Sequence, residues 1–226
     1  MIVLLPMKRD SERVPKKNRR ILAGKPLFFH MADKLKKTNL ITNLVINTDC
    51  PDIGKLAKER YGEWVIIIKR PRKLCGHEVS MNSIIKHDVN QIGVDNNFLQ
   101  THSTNPLLSI STIKNAIEIF LCNQKNRKYD SLFTVTPMKK RLYDKNLKPI
   151  NHNPKKLVQT QNLEKVFEEN SNIYIFSGDS FLKNNHRIGM NPYVYEMEFN
   201  NLESLDIDDK NDWTVAEILL NKSIIK

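Results

Sequence analysis

The chain has 226 residues, of which 40% are hydrophobic and 27% charged, with a formal net charge of +11. That length suffices for one well-cored domain and is short for two, and no apolar run approaches the roughly 18 residues of a membrane span, which excludes a spanning-helix protein. Cys50, Cys75 and Cys122 are odd in number, widely spaced and form no Cys-x-x-Cys pair, which argues against a disulfide framework or a zinc site and for reduced thiols in a cytoplasmic protein.

The opening Met1-Ile2-Val3-Leu4-Leu5-Pro6 has no basic leader and predicts a first strand over 2–6, not a signal peptide. Helical periodicity then alternates with short β-branched runs. It predicts a helix over 26–36, a strand over 43–48, a helix over 51–61, a strand over 64–69, a helix over 79–91 and a strand over 98–101. A helix over 109–122 follows, opened by the capping sequence Ser109-Ile110-Ser111-Thr112, then strands over 131–136, 172–176 and 193–197 and a helix over 210–220. This alternation predicts a three-layer α/β/α, Rossmann-like fold on a mainly parallel sheet. Residues 137–163 break the rhythm with the turn-formers Asp144-Lys145-Asn146 and Asn151-His152-Asn153-Pro154. A stretch that long predicts an arm or lid inserted into one domain spanning 1–226.

In such sheets ligands bind beyond the carboxyl ends of the strands, so the loop after the first strand is the first candidate site. Lys8-Arg9-Asp10-Ser11-Glu12-Arg13-Val14-Pro15-Lys16-Lys17-Asn18 carries five cations within ten residues, interrupted by two acids, and Gly24-Lys25-Pro26-Leu27 opens a helix behind it. Cations and backbone N–H groups there can hold a triphosphate and offset the charge of departing pyrophosphate. A solvated basic loop is the plainer reading of such a run, but its place directly after strand one favours the phosphate site. The second candidate is Asp206-Ile207-Asp208-Asp209. In an extended segment Asp206 and Asp208 project to one side while Ile207 packs inward, and two carboxylates beside phosphate oxygens suit magnesium. Asp209 and Asp212 fit a simpler role at the start of the following helix.

These residues carry a family resemblance. Pro6 through Leu27 resembles the opening signature of the acylneuraminate cytidylyltransferases, Pro-Ala-Arg-Gly-Gly-Ser-Lys-Arg-Ile-Pro-x-Lys-Asn followed by Gly-Lys-Pro-Leu. Asn47-Thr48-Asp49, Arg70-Pro71 with Leu74 and Ser80, Leu99-Gln100, the stretch from Glu169 to Ile175, and Ser204-Leu205-Asp206-Ile207-Asp208 with Ala216-Glu217 resemble further blocks in the family's order. The resemblance implies transfer of CMP from CTP to a sialic acid-like keto-sugar acid, with Mg2+ on Asp206 and Asp208 and a dimer joined through the arm. It implies that Lys8, Ser11, Arg13, Lys17 and Asn18 bind the nucleotide's phosphates and ribose, that Arg70 and Ser80 contact its base side, and that Gln100, His102, Asn170 and Tyr174 face the sugar. Lys8, Lys17, Asp206 and Asp208 form the implied catalytic set.

The sequence also departs from the pattern. Lys8 replaces an Arg and loses its bidentate fork, Arg9-Asp10 replaces Gly-Gly, and Glu12 replaces a Lys. The stretch after Gln100, Thr101-His102-Ser103-Thr104-Asn105-Pro106-Leu107-Leu108, is longer than the family's, and Gln159-Thr160-Gln161-Asn162 stands where an Arg belongs. These changes bear on which sugar is used, 3-deoxy-octulosonate included, and leave a catalytically idle relative open. Net charge alone suggests a nucleic-acid binder, yet the opening loop offers no aromatic platform. His102 stands open between a substrate contact and a structural role. His30 reads as helix packing, His77, His87 and His186 as residues without ligand spacing, Trp64 and Trp213 as packing residues, and Lys139, Lys140 and Arg141 as the basic start of the arm.

Overall fold

A computed structural model describes residues 1–76, 78–126, 128–198 and 202–222; His77 lies outside the described residues. The apolar run at the start forms β1 (Ile2–Leu4), and its alternation sorts the two faces of the sheet. Val3 and Leu5 join one buried cluster and Leu4 another. A short hairpin, β2 (Ile21–Leu22) and β3 (Lys25–Pro26), turns at Gly24, whose φ of 87° is open to glycine. Next come α1 (Leu27–Lys37), β4 (Asn43–Thr48), α2 (Pro51–Tyr61), β5 (Val65–Lys69), α3 (Met81–Ile92), β6 (Asn97–Gln100) and α4 (Ile110–Lys125). The chain continues through β7 (Ser131–Met138), β8 (Val166–Ser177), α5 (Gly178–Asn184), β9 (Pro192–Glu196) and α6 (Lys210–Asn221).

Seven strands form one sheet in the order β5-β4-β1-β6-β8-β7-β9. All neighbours pair in parallel except β8, which runs antiparallel to both β6 and β7. Helices α1, α2 and α4 bury Phe28, Ile53 and Ile117 on one face, and α3 and α5 bury Val89 and Phe181 on the other. The three-layer, mainly parallel fold read from the alternation is therefore the fold observed. A third cluster joins Val14 of the opening loop, Leu22, Leu27, Ile207 and the α6 residues Trp213 and Ala216. It fastens α6 and the segment before it beneath the opening loop, and each of these side chains is at most 6% exposed.

Several boundaries differ from the predicted ones. The helix predicted from 79 begins at Met81, because the Ser80 hydroxyl caps it by accepting from the Ser83 N–H at 3.2 Å. The strand predicted over 172–176 is the inner half of β8, whose outer half, Val166 to Ser171, pairs with β7 despite its polar sequence. The hairpin and α5 are additional elements. At α5, a Cβ on Gly178 would lie 2.3 Å from the Val94 carbonyl oxygen, so this close approach requires glycine.

Residues 139–165 connect β7 to β8 with no strand or α-helix, only a single 3-10 turn at Thr160–Asn162. Asn151 holds the stretch together: its amide donates to the carbonyls of Lys140 (2.8 Å) and Glu164 (3.2 Å), and its oxygen accepts from the Leu142 N–H at 3.0 Å. Lys139 and Arg141, at the start of the arm, donate to the carbonyls of Gln161 and Val158. The apolar side chains at its tip point outward, with Leu147 80% and Leu157 94% exposed.

Candidate active site

The loops that follow β1, β5 and β6, together with the segment before α6, enclose a cleft of about 310 Å³. The opening loop is fixed to its neighbours from several sides. Met7 bridges to Thr48, and the Arg9 N–H donates to Asp49 at 2.7 Å. Buried Asn18 donates to the Lys8 carbonyl (2.9 Å) and accepts from the Ser103 hydroxyl (2.6 Å), tying the loop after β1 to the loop after β6. Lys16 turns the loop in a left-handed conformation, φ 56°, uncommon for a residue other than glycine.

The acidic segment meets this loop across the cleft. The Ile207 N–H donates to the Thr104 carbonyl at 2.8 Å, and the Ile207 side chain is sealed in the third apolar cluster. Asp206 and Asp208 both line the cleft. Asp208 pairs with Arg13 at 3.0 Å and lies 3.8 Å from the Lys17 ammonium, which donates to the Ile207 carbonyl at 2.6 Å. Burial lowers the Lys17 pKa, and the charges of Asp206 and Asp208 oppose that shift. Burial pushes the Asp206 carboxyl up and Asp208 adds to the rise, while a hydrogen bond from Thr104 and the charge of Lys17 pull it down.

Asp209 and Asp212 form a capping box at the start of α6: Asp209 accepts from the Asp212 N–H at 3.1 Å, and Asp212 accepts from the N–H groups of Asp208 and Asp209, each at 2.9 Å. They are helix-start residues, and they also hold the Asp208 backbone.

The fit to magnesium rests on Asp206. Its Oδ1 is buried and has no hydrogen-bond partner, and a buried carboxylate oxygen without a partner is costly unless something binds it. No cluster of three or more His, Cys, Asp or Glu side chains able to hold a metal occurs among the described residues. A hard cation held by one or two carboxylates that completes its shell with phosphate and water matches this donor set.

The structure brings Lys8, Ser11, Lys17, Asn18, Arg70, His102, Asp206 and Asp208 to the wall of this one cleft. Arg70 is 8% exposed and is held by Asn47, donating from Nε to the side-chain oxygen (2.7 Å) and from an Nη to the carbonyl (2.8 Å). Arg13 reaches the site through Asp208. Four of the residues singled out in the sequence stand back from the cleft. The Ser80 hydroxyl is used as the α3 cap. Gln100 is fully buried, with its amide engaged by Thr101, His102 and Arg187. Asn170 bonds Thr134 (2.7 Å) and Thr136 (2.9 Å) between β7 and β8, which consumes both ends of its side chain. Tyr174 is fully buried, with its hydroxyl on Glu169 and Ser171.

Two participants escaped the sequence reading. Thr104 sits in a loop already singled out, and only its contacts reveal its role. Arg187 lies in the polar run Asn184-Asn185-His186-Arg187, which carries no local signal. Of the residues read as structural, His30 contacts the Leu22 carbonyl at 2.8 Å, Trp213 belongs to the third cluster and Trp64 packs against the first. His87 sits beside Asp88 and His186 is exposed.

A family model described as Cytidylyltransferase matches residues 2–224. An N-acylneuraminate cytidylyltransferase of Streptococcus agalactiae serotype III is 24% identical over 94% of this chain and 51% of its own, so the chain spans about half the length of that relative. A CMP-N,N'-diacetyllegionaminic acid synthase of Legionella pneumophila is 26% identical over 97% of this chain and 96% of its own. A solved structure of a CMP:2-keto-3-deoxy-manno-octonic acid synthetase complexed with CTP has a TM-score of 0.69 at 13% identity and covers 98% of each chain, a likeness of fold.

Proposed function

Because this chain belongs to the cytidylyltransferase family of CTP-dependent nucleotidyltransferases, we propose that it transfers CMP from CTP to the anomeric hydroxyl of a sialic acid-like 2-keto-3-deoxy sugar acid, releasing pyrophosphate. One observation carries the reading to this cleft: the acidic segment before α6 closes on the basic loop after β1, with Asp208 3.0 Å from Arg13 and 3.8 Å from Lys17. In the proposed reaction the sugar hydroxyl oxygen bonds to the α-phosphorus, the bond from that phosphorus to the bridging oxygen breaks with its electron pair going to pyrophosphate, and the hydroxyl proton passes to solvent.

The chain's part is positioning and charge compensation. Lys8 and Lys17 offer cations to the β- and γ-phosphates, and Arg13, paired with Asp208 at 3.0 Å, stands beside them. Asn18, Arg70 and His102 line the same cleft, and this reading gives the first two to the nucleotide and His102 to the acceptor. Asp206 and Asp208 would hold magnesium, which would supply a Lewis acid to neutralise charge developing on the phosphates. The outward apolar side chains of the arm, Leu147, Ile150 and Leu157, support a homodimer joined through it. The three free cysteines support a cytoplasmic location. Among the described residues no helix is long and apolar enough to cross a membrane.

A nucleic-acid binder finds no support at this cleft, because none of its lining residues among those described is Phe, Tyr or Trp. The test is thermal shift with each of the four nucleoside triphosphates, with and without magnesium, followed by pyrophosphate release with CTP and a panel of keto-sugar acids. Stabilisation selective for CTP that needs magnesium, with turnover of one nonulosonate, is the expected result. Turnover of 3-deoxy-octulosonate alone would move the assignment to that sugar, and CTP binding without any turnover would identify an idle relative.

A further inference from the structure

Gln100 and Arg187 determine the chemical form in which His102 meets the cleft. Gln100 ends β6, and its side chain is fully buried. Its Oε1 accepts from Arg187 at 2.6 Å, while its Nε2 donates to the Thr101 carbonyl at 3.1 Å and lies 2.9 Å from Nε2 of His102. A guanidinium can only donate and a carbonyl can only accept, so two independent neighbours fix which way the amide faces. Gln100 Nε2 therefore donates to the imidazole, and the imidazole nitrogen that receives it must present its lone pair. The ring proton then sits on Nδ1, which has no hydrogen-bond partner among the described residues. Burial, with the positive charges of Arg187 and Lys17, pushes the His102 pKa down to about 4, so the ring is neutral at physiological pH.

Arg187 is itself firmly held. Its guanidinium lies over the Tyr174 ring at 3.5 Å from the centroid and 3.7 Å from the Glu169 carboxylate, which in turn accepts from the Tyr174 hydroxyl. We propose that Arg187, acting through Gln100, locks His102 as an N–H donor aimed at an acceptor oxygen of the sugar acid, so that this wall of the cleft binds substrate and is not a general base. This rests on the sugar-acid reading for the identity of the acceptor. His102 is the group that touches substrate, and Gln100 and Arg187 are positioning residues.

The test begins without substrate. Two-bond proton–nitrogen correlation spectra of nitrogen-15 histidine-labelled protein, with His102→Asn to assign the signals, report which ring nitrogen holds the proton. The wild type should carry it on Nδ1, unchanged from pH 5.5 to 8. Gln100→Glu, whose carboxylate only accepts, should move it to Nε2; Arg187→Leu, which leaves the Thr101 carbonyl alone to hold the amide, should admit a share of the Nε2 form; Arg187→Lys, still a donor, should keep the wild-type form. A wild-type proton on Nε2, or a Gln100→Glu ring indistinguishable from wild type, would overturn the proposal. In turnover, Arg187→Leu and Gln100→Glu should raise KM for the sugar acid about tenfold and leave KM for CTP within about twofold, as loss of one hydrogen bond to a charged acceptor predicts. Equal increases in both would count against a sugar-side role. Absence of turnover with every keto-sugar acid would refute the reaction proposed above while leaving the spectra to decide the form of His102.

Discussion

The opening loop and the arm make an instructive pair. Both are irregular, basic stretches, 8–18 and 139–165, and local composition hardly distinguishes them. Their apolar residues do. Val14 drops from the opening loop into a sealed cluster with Leu22, Ile207 and Trp213, so the cations around it are held over the acidic segment. The arm is braced internally by Asn151 but turns Leu147, Ile150 and Leu157 away from the protein. A basic loop anchored from within becomes part of a cleft, whereas the arm, with Leu163 buried but Leu147, Ile150 and Leu157 outward, would on the reading proposed above be covered by a second copy.

Removing Asp208 tests the anchored side hardest. Asp208→Ala should reduce kcat about a thousandfold, on the order of 4 kcal/mol of transition-state stabilisation, with thermal stability close to wild type. Initial rates across a magnesium titration measure it, and a wild-type rate would break the link between anchoring and catalysis. Next in size is the anchor itself. Ile207→Ala removes a fully buried side chain and should lower the unfolding free energy by about 2–5 kcal/mol in denaturant titration.

A contact beneath neither loop supplies a yardstick. Asp33 on α1 accepts from Arg60 of α2 (3.0 Å), from Tyr61 (2.7 Å) and from Lys25 (2.6 Å). Burial alone would raise its pKa, but these three partners together hold it at about 2, below its ordinary 3.8. A depressed carboxylate stabilises the fold above its unfolded pKa, so this contribution of about 2 kcal/mol is complete above roughly pH 4 and disappears as pH falls towards 2. Asp33→Asn should abolish that part of the acid dependence, read from unfolding midpoints between pH 2 and 5. The smallest effect on stability belongs to the arm. Leu147→Asp with Leu157→Asp should change the unfolding free energy by less than about 0.5 kcal/mol, yet shift the sedimentation profile from dimer to monomer. An oligomeric state identical to wild type would remove the arm from assembly.

What could be read in the sequence followed the physics of each signal. Strands such as β4 and helices such as α2, where period and punctuation agree, came out at their observed bounds. The outer half of β8 reads Val166-Phe167-Glu168-Glu169-Asn170-Ser171, and its pairing with β7 cannot be inferred from so polar a run. Nor could the antiparallel sense of β8, since strand direction leaves no mark on local alternation. The opening loop and the aspartate pair were legible because charge accumulates where the sheet ends, and Ile207 between two acids already implied opposite-facing roles. Gln100 and Asn170 were placed at the substrate by resemblance, but burial assigns the Gln100 amide to its neighbours and Asn170 to the β7–β8 seam. Arg187 acts across 87 residues of chain on Gln100, and a contact at that separation has no local pattern.

The capping box at the start of α6 has a further consequence for the durability of the site. Asp212 holds the backbone N–H of Asp208 from the first turn of the helix, so the placing of the Asp208 carboxylate depends on that turn staying docked. Unwinding of the first turn of α6 and displacement of Asp208 are therefore coupled. A ligand in the cleft should therefore slow amide exchange at Asp208 and Asp209, whose N–H groups the Asp212 carboxylate holds.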